Sequence, residues 1–133
     1  MKALSITKMA VDKDCIFCKI IKKEIPSEII KESPNFFAIR DKYPHAEGHT
    51  LVIPKKHFVT ILDIPNTLGS ELLKMLKEIA SDLLDTKLGD GFNIIQNNLQ
   101  VAGQAIMHAH FHIIPRKDKD GIRFLVKENS TRF

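Results

Sequence analysis

Cysteine is scarce in this sequence, and no long uncharged apolar run is present. Two cysteines occur among 133 residues, too few for the disulfide framework that stabilises small secreted domains. A membrane-spanning helix needs about 20 consecutive apolar residues, which the sequence does not contain. The first apolar stretch is broken by Lys8 and Asp12, so it is a poor signal peptide. These absences predict a cytoplasmic protein without a membrane partner.

Strong charge of one sign is also lacking. The formal net charge is +4 and the isoelectric point is about 9.1, but the basic residues are scattered along the chain. A nucleic-acid-binding surface is expected to combine a basic stripe with aromatic residues, and no such stripe is visible. We therefore predict no nucleic-acid partner. A modest positive field instead favours a small ligand that carries phosphate.

The length fits one domain of ordinary size. We predict that residues 1–14 form a flexible N-terminal extension and that residues 15–133 form a single domain. Apolar residues recur at helical spacing from Leu72 to Leu84, which predicts one long helix. Asn66 or Thr67 can cap the start of this helix, and Gly89 can end it.

One short helix and five strands are predicted around the long helix. The segment CIFCKIIKKEIP has helical apolar spacing and ends at a proline. Short β-type runs bounded by turn residues occur in SEIIKES, NFFAIRD, GHTLVIP, GFNIIQN and MHAHFHIIP. Three strands, the long helix and two further strands with short links indicate a mainly antiparallel five-stranded sheet. The predicted fold class is therefore α+β.

Three of the six histidines alternate along one apolar run, at His108, His110 and His112. On a strand from Met107 to Pro115, these rings share one face, and the intervening apolar residues share the other. Neighbouring histidines are then about 6.6 Å apart along the backbone, which favours separate roles over a single metal site. A solvated polar face is the alternative. Chemistry is favoured, because imidazole titrates near neutral pH and binds metals.

The segment GQAIMHAHFHIIPR resembles the signature of the histidine-triad (HIT) family, in which His-x-His-x-His is followed by apolar residues. Three further segments resemble other parts of the same family in the same order: CIFCKIIKKEIPSEII, FFAIRDKYPHAEGHTLVIPKKH and GFNIIQNNLQVAGQ. The resemblance extends from about Cys15 to Arg116. It implies the HIT-like α+β fold and a homodimer. The alternation of Ile122, Phe124 and Val126 in the tail allows this segment either to add a strand to the dimer interface or to reach the active site of the partner subunit.

The resemblance also implies an enzyme. HIT proteins of this kind hydrolyse nucleoside phosphoramidates or related nucleoside 5′-phosphate conjugates and release a nucleoside monophosphate, AMP or GMP. The middle histidine, which His110 matches, attacks phosphorus and forms a covalent nucleotidyl-histidine that water then cleaves. His112 and His49 match histidines that donate to phosphate oxygens. His112 is also a candidate proton donor to the leaving group.

A purine nucleotide is the implied substrate. Asn97 and Gln104 match polar residues that contact phosphate and ribose, and Asp41 matches an acid that binds the ribose hydroxyls. The implied apolar walls of the base pocket are Ile16, Phe17, Ile20 and Ile39. Two positions depart from the family pattern: Ala105 replaces a serine or threonine of one branch, and Lys42 replaces an apolar residue. These departures leave the leaving-group preference and the edge of the base pocket open.

A structural zinc site is the further implication of the resemblance. Related bacterial-type proteins often hold zinc through a C-x-x-C pair and two histidines, and the matching residues are Cys15, Cys18, His57 and His108. Two thiolates and two imidazoles suit a closed tetrahedral site. In this assignment His108 binds the metal, and His110 and His112 act on the phosphate. No organic cofactor is expected.

Three alternatives remain at this stage. A dinucleoside polyphosphate hydrolase belongs to the same family. A metal-dependent hydrolase would use His-x-His as catalytic ligands, but it needs a nearby carboxylate, and no acid stands beside the triad in the sequence. A nucleotide-binding module without catalysis would keep AMP binding when His110 is replaced.

Overall fold

The computed structural model describes residues 14–124 and contains one five-stranded sheet. The strands, numbered in chain order, are β1 (Ile29–Glu32), β2 (Phe36–Arg40), β3 (Thr50–Pro54), β4 (Gly91–Ile95) and β5 (Phe111–Arg116). Their order across the sheet is β1-β2-β3-β5-β4, and each neighbouring pair is antiparallel. The predicted α+β fold is confirmed. The predicted extension, apart from Asp14, and Val126 of the tail lie outside the described residues.

Two helices cover opposite faces of the sheet, because side chains alternate along each strand. The short helix α1 (Ile16–Ile21) packs on the face that presents Phe37 of β2, and the long helix α2 (Gly69–Asp85) packs on the face that presents Phe36. The apolar run of β2 is therefore buried on both faces. No helix within residues 14–124 combines the length and apolar character that a bilayer span requires.

The ends of α2 differ from the predicted capping residues. Asn66 and Thr67 belong to a 3₁₀ turn that precedes the helix. The helix ends at Asp85, and the Thr86 hydroxyl donates a 2.7 Å hydrogen bond to a carbonyl one turn back. This side-chain bond satisfies the helix end before the chain reaches Gly89.

The histidine segment is only partly a strand. β5 begins at Phe111, so His108 and His110 lie in the chain leading into it, whereas the sequence predicts a strand from Met107. The Ala109 backbone N–H donates to the Phe58 carbonyl at 2.6 Å instead of joining the ladder. Met107, which the strand pattern assigns to the face under α2, is 42% exposed. The continuous strand was therefore a wrong prediction at its start.

Candidate active site and metal centre

Four potential metal ligands converge beside the N-terminal end of α1. Their ligand atoms all lie within 4.8 Å of one another, and all four residues are buried: Cys15, Cys18, His57 and His108. The Cys15 Sγ lies 3.3 Å from the His108 Nδ1, and the Cys18 Sγ lies 3.3 Å from the His57 Nδ1. The two Nδ1 atoms are 3.0 Å apart. The predicted set of four residues is thus brought together by α1, the end of β3 and the segment before β5.

The chemistry of this cluster fits a metal ion. The His108 Nε2 lies 2.8 Å from the Pro54 carbonyl, and a carbonyl only accepts, so Nε2 carries the proton. The lone pair of Nδ1 therefore faces the thiols, as a ligand requires. Burial raises the pKa of the Cys15 thiol to about 11, so a thiolate here needs a cation beside it. The cluster can therefore hold a metal ion.

The His110 ring is oriented by a backbone carbonyl. Its Nδ1 lies 2.7 Å from the His108 carbonyl oxygen, so Nδ1 carries the proton and Nε2 keeps its lone pair. The ring is 8% exposed and contacts the Phe17 ring edge-on, with centroids 5.2 Å apart. Burial lowers the pKa of His110, which keeps the imidazole neutral at pH 7. A neutral, oriented imidazole has the form that a nucleophile needs.

A second group of polar side chains surrounds His112. Its Nδ1 lies 3.0 Å from the His49 Nε2 and 4.0 Å from the nearer carboxylate oxygen of Asp41. The same Asp41 oxygen lies 3.3 Å from the His49 Nε2. Burial lowers the pKa of His49. Burial, with His110 and His49 as neighbours, lowers the pKa of His112 to about 4. These histidines are therefore neutral at pH 7.

His110 and His112 face each other on the side of the sheet that α1 covers. Their ring centroids are 5.0 Å apart, and His112 pairs in register with Leu51 of the cluster that packs against α1. One site thus presents an unprotonated Nε2 at His110 beside a row of neutral imidazoles. Both His110 and His112 can approach an anion, such as a phosphate group, in this site.

Comparison with known proteins identifies the family of this arrangement. The HIT domain model matches residues 22–119. This chain belongs to the HIT family. The chain is 42% identical over 115 residues to an adenosine 5′-monophosphoramidase of Candida albicans. The aligned region covers 84% of this chain and 76% of that protein.

Two solved HIT structures are also similar to this chain. A HIT family protein from Bacillus subtilis has a TM-score of 0.81 and 36% identity, covering 91% of this chain and 86% of that chain. A zinc-bound histidine triad family protein from Mycobacterium smegmatis has a TM-score of 0.78 and 36% identity, covering 84% and 81% of the two chains. The HIT fold that the sequence predicts is confirmed.

Gln104 of this HIT chain is 2% exposed and is bonded to backbone at both ends of its amide. Its Nε2 donates to the Val59 carbonyl at 2.6 Å and to the Ile106 carbonyl at 3.1 Å. Its Oε1 accepts from the Leu99 N–H at 2.6 Å. Both amide protons are thus engaged, so the side chain ties the loop before the histidines together. A direct phosphate contact by Gln104 stays a prediction, and it requires one of these bonds to be exchanged.

The four predicted apolar wall residues occupy two different environments. Phe17, Ile20 and Ile39 are buried in the cluster between α1 and the sheet. Ile16 is 42% exposed and lines a separate cavity of about 300 Å³ together with Ala105. The structure therefore places three of the four beside one another, and Phe17 reaches the His110 ring.

Sequence reasoning missed a second cavity, next to His112. It has a volume of about 550 Å³ and is lined on one side by Asn97, the predicted phosphate or ribose ligand. Arg116, the last residue of β5, and Phe124 also line it. Arg116 donates to Asp120 at 2.8 Å, and its guanidinium carbon lies 5.6 Å from the Phe124 ring centroid. The i, i+4 rule applies to helices, whereas Arg116 ends β5 and Asp120 follows the next turn, so the sequence offers no signal for this pair.

The sequence names Asp41 only as a ribose ligand, and its approach to the triad was not expected. Asp41 lies far from His112 in the sequence, yet its carboxylate reaches within 4.0 Å of the His112 ring. The antiparallel pairing of β2 with β3 and of β3 with β5 brings them together. The carboxylate that the metal-dependent alternative needs is therefore present.

Proposed function

We propose that this HIT protein is a nucleotide hydrolase that cleaves nucleoside phosphoramidates or related nucleoside 5′-phosphate conjugates and releases a nucleoside monophosphate. Family membership supports the class of enzyme, and a relative named adenosine 5′-monophosphoramidase supports a purine nucleotide as the substrate. The scissile bond is either a phosphorus–nitrogen bond or a phosphoanhydride bond.

One observation carries this proposal: the 2.7 Å hydrogen bond from the His110 Nδ1 to the His108 carbonyl. It leaves the His110 Nε2 with a lone pair and fixes the direction in which the ring presents it. The Nε2 atom attacks phosphorus, and the bond to the leaving group breaks with its electron pair on that group; an amine leaving group also takes up a proton, for which His112 is the proposed donor. Water then attacks the same phosphorus and gives up a proton that restores His112, so the nucleoside monophosphate leaves and His110 is regenerated.

His49 and His112 are proposed to stabilise the charge that develops on the phosphoryl oxygens. His112 lies next to His110, and His49 lies next to His112. N–H donors aimed at a developing anion lower the barrier most in a water-poor environment. Asn97, at the edge of the larger cavity, is proposed to contact phosphate or ribose. Asp41 is proposed to accept from ribose hydroxyls, and its carboxylate has lone pairs left for them.

We propose that the metal at the cysteine–histidine cluster is a structural zinc ion. Two thiols and two imidazoles are a donor set that zinc prefers, and a similar HIT structure is described as zinc-bound. The ion would neutralise the buried thiolates and link α1 to the end of β3 and to the segment before β5. Because the His108 carbonyl also orients His110, the zinc site supports the nucleophile indirectly.

We propose a homodimer that forms through the β4 edge of the sheet, with which no other strand within residues 14–124 pairs. β4 is the last strand in the order β1-β2-β3-β5-β4, and its apolar side chains Phe92 and Ile94 are 39% and 46% exposed. An apolar edge strand of this kind is a natural site for pairing with a second copy. Light scattering after size-exclusion chromatography tests the proposal, and a monomeric mass would overturn it.

Product analysis tests the proposed reaction. The protein is incubated separately with adenosine 5′-phosphoramidate, its guanosine counterpart and a diadenosine polyphosphate, and the nucleotides are separated by chromatography. We expect AMP or GMP from the phosphoramidates and no release by the His110→Ala variant. Faster release from the diadenosine polyphosphate would assign the protein to the polyphosphate branch. Release by His110→Ala at the wild-type rate would overturn the proposed mechanism.

A further inference from the structure

Phe17 of α1 packs against the rings of two histidines that belong to different sites. Its ring centroid lies 5.6 Å from that of His108, with the ring planes at 90°, and 5.2 Å from that of His110, with the planes at 70°. These are edge-to-face contacts, which aromatic rings prefer to a face-to-face sandwich. One phenyl ring thus touches a candidate metal ligand and the candidate nucleophile.

The position of Phe17 is set by two candidate metal ligands on either side of it in the chain. In the segment CIFC, Cys15 directly precedes α1 and Cys18 lies in its first turn. Both cysteine side chains belong to the cysteine–histidine cluster, so this turn of helix is held from both ends. Ile16 is 42% exposed, whereas Phe17 is 3% exposed. The turn therefore directs Phe17, and not Ile16, into the protein.

The hydrogen bond to the His108 carbonyl does not by itself fix the His110 ring. It holds the ring at Nδ1, but a ring held at one atom can still pivot there, and the Cβ–Cγ torsion of histidine is broad. Such a pivot changes the direction of the Nε2 lone pair. Within residues 14–124, the ring contacts of His110 come from Phe17 and His112. Phe17 is the buried one of the two, so it is the firmer support.

The burial of Phe17 also separates this contact from a contact with the base. A side chain that forms the wall of an empty pocket keeps part of its surface exposed, but Phe17 is almost fully covered. Its cluster between α1 and the sheet includes Ile39 and Ile53, which are buried as well. Little of the phenyl ring is therefore left for a purine, while its contact with His110 is already made.

We propose that Phe17 is a positioning residue for His110: its ring holds the plane of the imidazole, so that the Nε2 lone pair keeps one direction. This inference rests on the proposed function, because the direction of Nε2 matters only if His110 attacks phosphorus. A displacement of about 1 Å between reacting groups can lower a rate by about 100-fold. Phe17 thus adds a side-chain link from the cysteine–histidine cluster to the nucleophile, beside the link through the His108 carbonyl.

Truncation of Phe17 with a matched control tests this role. Phe17→Leu removes the ring, and Phe37→Leu removes a second buried phenyl ring from the same cluster. Both variants should lower Tm by a similar amount, because each leaves a cavity. Only Phe17→Leu is expected to lower kcat, by about 10-fold, and both should keep their zinc. An unchanged kcat in Phe17→Leu, an equal loss of kcat in the control, or loss of zinc from Phe17→Leu alone would overturn the inference.

A base-free substrate separates positioning from base binding. Formation of the covalent intermediate is compared for adenosine 5′-phosphoramidate and for ribose 5-phosphoramidate, which lacks the purine. We expect Phe17→Leu to slow this step by the same factor with both compounds, because the lost contact is with the His110 ring. A loss confined to KM of the adenosine compound would show that Phe17 binds the base instead and would overturn the inference.

NMR of the full-length, zinc-loaded protein tests the contact without substrate. In the wild type we expect a nuclear Overhauser effect between the Phe17 and His110 ring protons and slow solvent exchange of the His110 Nδ1 proton. That exchange should be faster in Phe17→Leu and unchanged in Phe37→Leu. Absence of the ring-to-ring signal in the wild type would overturn the inference even if the variant failed to fold. Absence of label on wild-type His110 with either substrate would instead defeat the proposed function, so the two failures are distinguishable.

Discussion

The His108 carbonyl oxygen accepts a hydrogen bond from the His110 Nδ1 at 2.7 Å, while the His108 ring lies among the cysteine–histidine ligands. One residue thus belongs to the candidate metal centre through its side chain and to the candidate active site through its backbone. Displacement of His108 therefore also displaces the carbonyl that orients the nucleophile. This relationship predicts that the metal and the activity are linked through the fold.

Removal of a metal ligand is expected to lower stability and activity together. Cys18→Ser leaves an incomplete donor set beside buried His57, so we expect loss of bound zinc and a Tm lower by about 10 °C or more. The same variant should lose kcat, because His108 is no longer held. Metal analysis, thermal unfolding and kinetics check the prediction. Lys56→Ala, an exposed neighbour of His57, serves as the matched control.

Chelation separates a structural metal from a catalytic one. For a structural ion, activity is lost only as the protein unfolds and returns only after refolding with zinc. Immediate loss at an unchanged Tm, reversed at once by added metal, would support the metal-dependent hydrolase instead.

Stability is expected to fall as the pH is lowered, because His112 stays neutral in the folded protein. The pKa of His112 falls from 6.5 to about 4 on folding, which corresponds to about 3 kcal/mol. As the pH drops below about 6.5, His112 binds a proton in the unfolded chain but stays unprotonated in the folded chain. This contribution is therefore complete above about pH 6.5 and is lost progressively as the pH falls to about 4.

Urea unfolding at several pH values, compared between wild type and His112→Gln, measures the pH-dependent contribution of His112 to stability. The glutamine variant cannot titrate at this position, so its stability should fall less steeply over the same range. Loss of zinc in acid affects both proteins and cancels in the difference. Identical slopes would contradict the prediction.

Gln104 is expected to contribute mainly to stability. In Gln104→Ala, the Val59 and Ile106 carbonyls and the Leu99 N–H all lose a partner. We expect a cost of about 2–3 kcal/mol in the free energy of unfolding, measured by chemical denaturation. A stable variant with a raised KM would show instead that the Gln104 amide binds phosphate.

Asn97 is expected to show the opposite behaviour. Its side chain is partly exposed at the larger cavity, so Asn97→Ala should leave the free energy of unfolding within about 0.5 kcal/mol of wild type. We expect KM for adenosine phosphoramidate to rise by about 10-fold, as the loss of one hydrogen bond to a charged group implies. An unchanged KM would remove Asn97 from the binding site.

The strands and helices could be predicted because their signals are local. The two adjacent isoleucines of SEIIKES and the uninterrupted apolar run of NFFAIRD follow from packing on both faces of the sheet, and the spacing of α2 follows from its single apolar stripe. The start of β5 could not be predicted in this way. Alternation assigns faces within a strand, but it does not show that His108 leaves the ladder for a side-chain cluster.

The contacts among site residues depend on tertiary structure. The grouping of His110, His112 and His49 was implied by a family pattern, whereas the approach of Asp41 to His49 requires the register between β2 and β3. The proton positions depend on a further contact in the folded structure, since the backbone N–H of His45 determines the tautomer of His49. Sequence patterns carry residue types and spacing, and they carry no hydrogen-bond direction.

The most direct test of the central claim is to trap the covalent intermediate. The protein is mixed with an adenosine 5′-phosphoramidate labelled at phosphorus and quenched in alkali, because a phosphoryl–imidazole bond is labile in acid. Peptide mapping then locates the label. We predict label on His110 in the wild-type protein and none in His110→Ala; turnover with label on His112, or with no labelled protein at any time, would contradict the account.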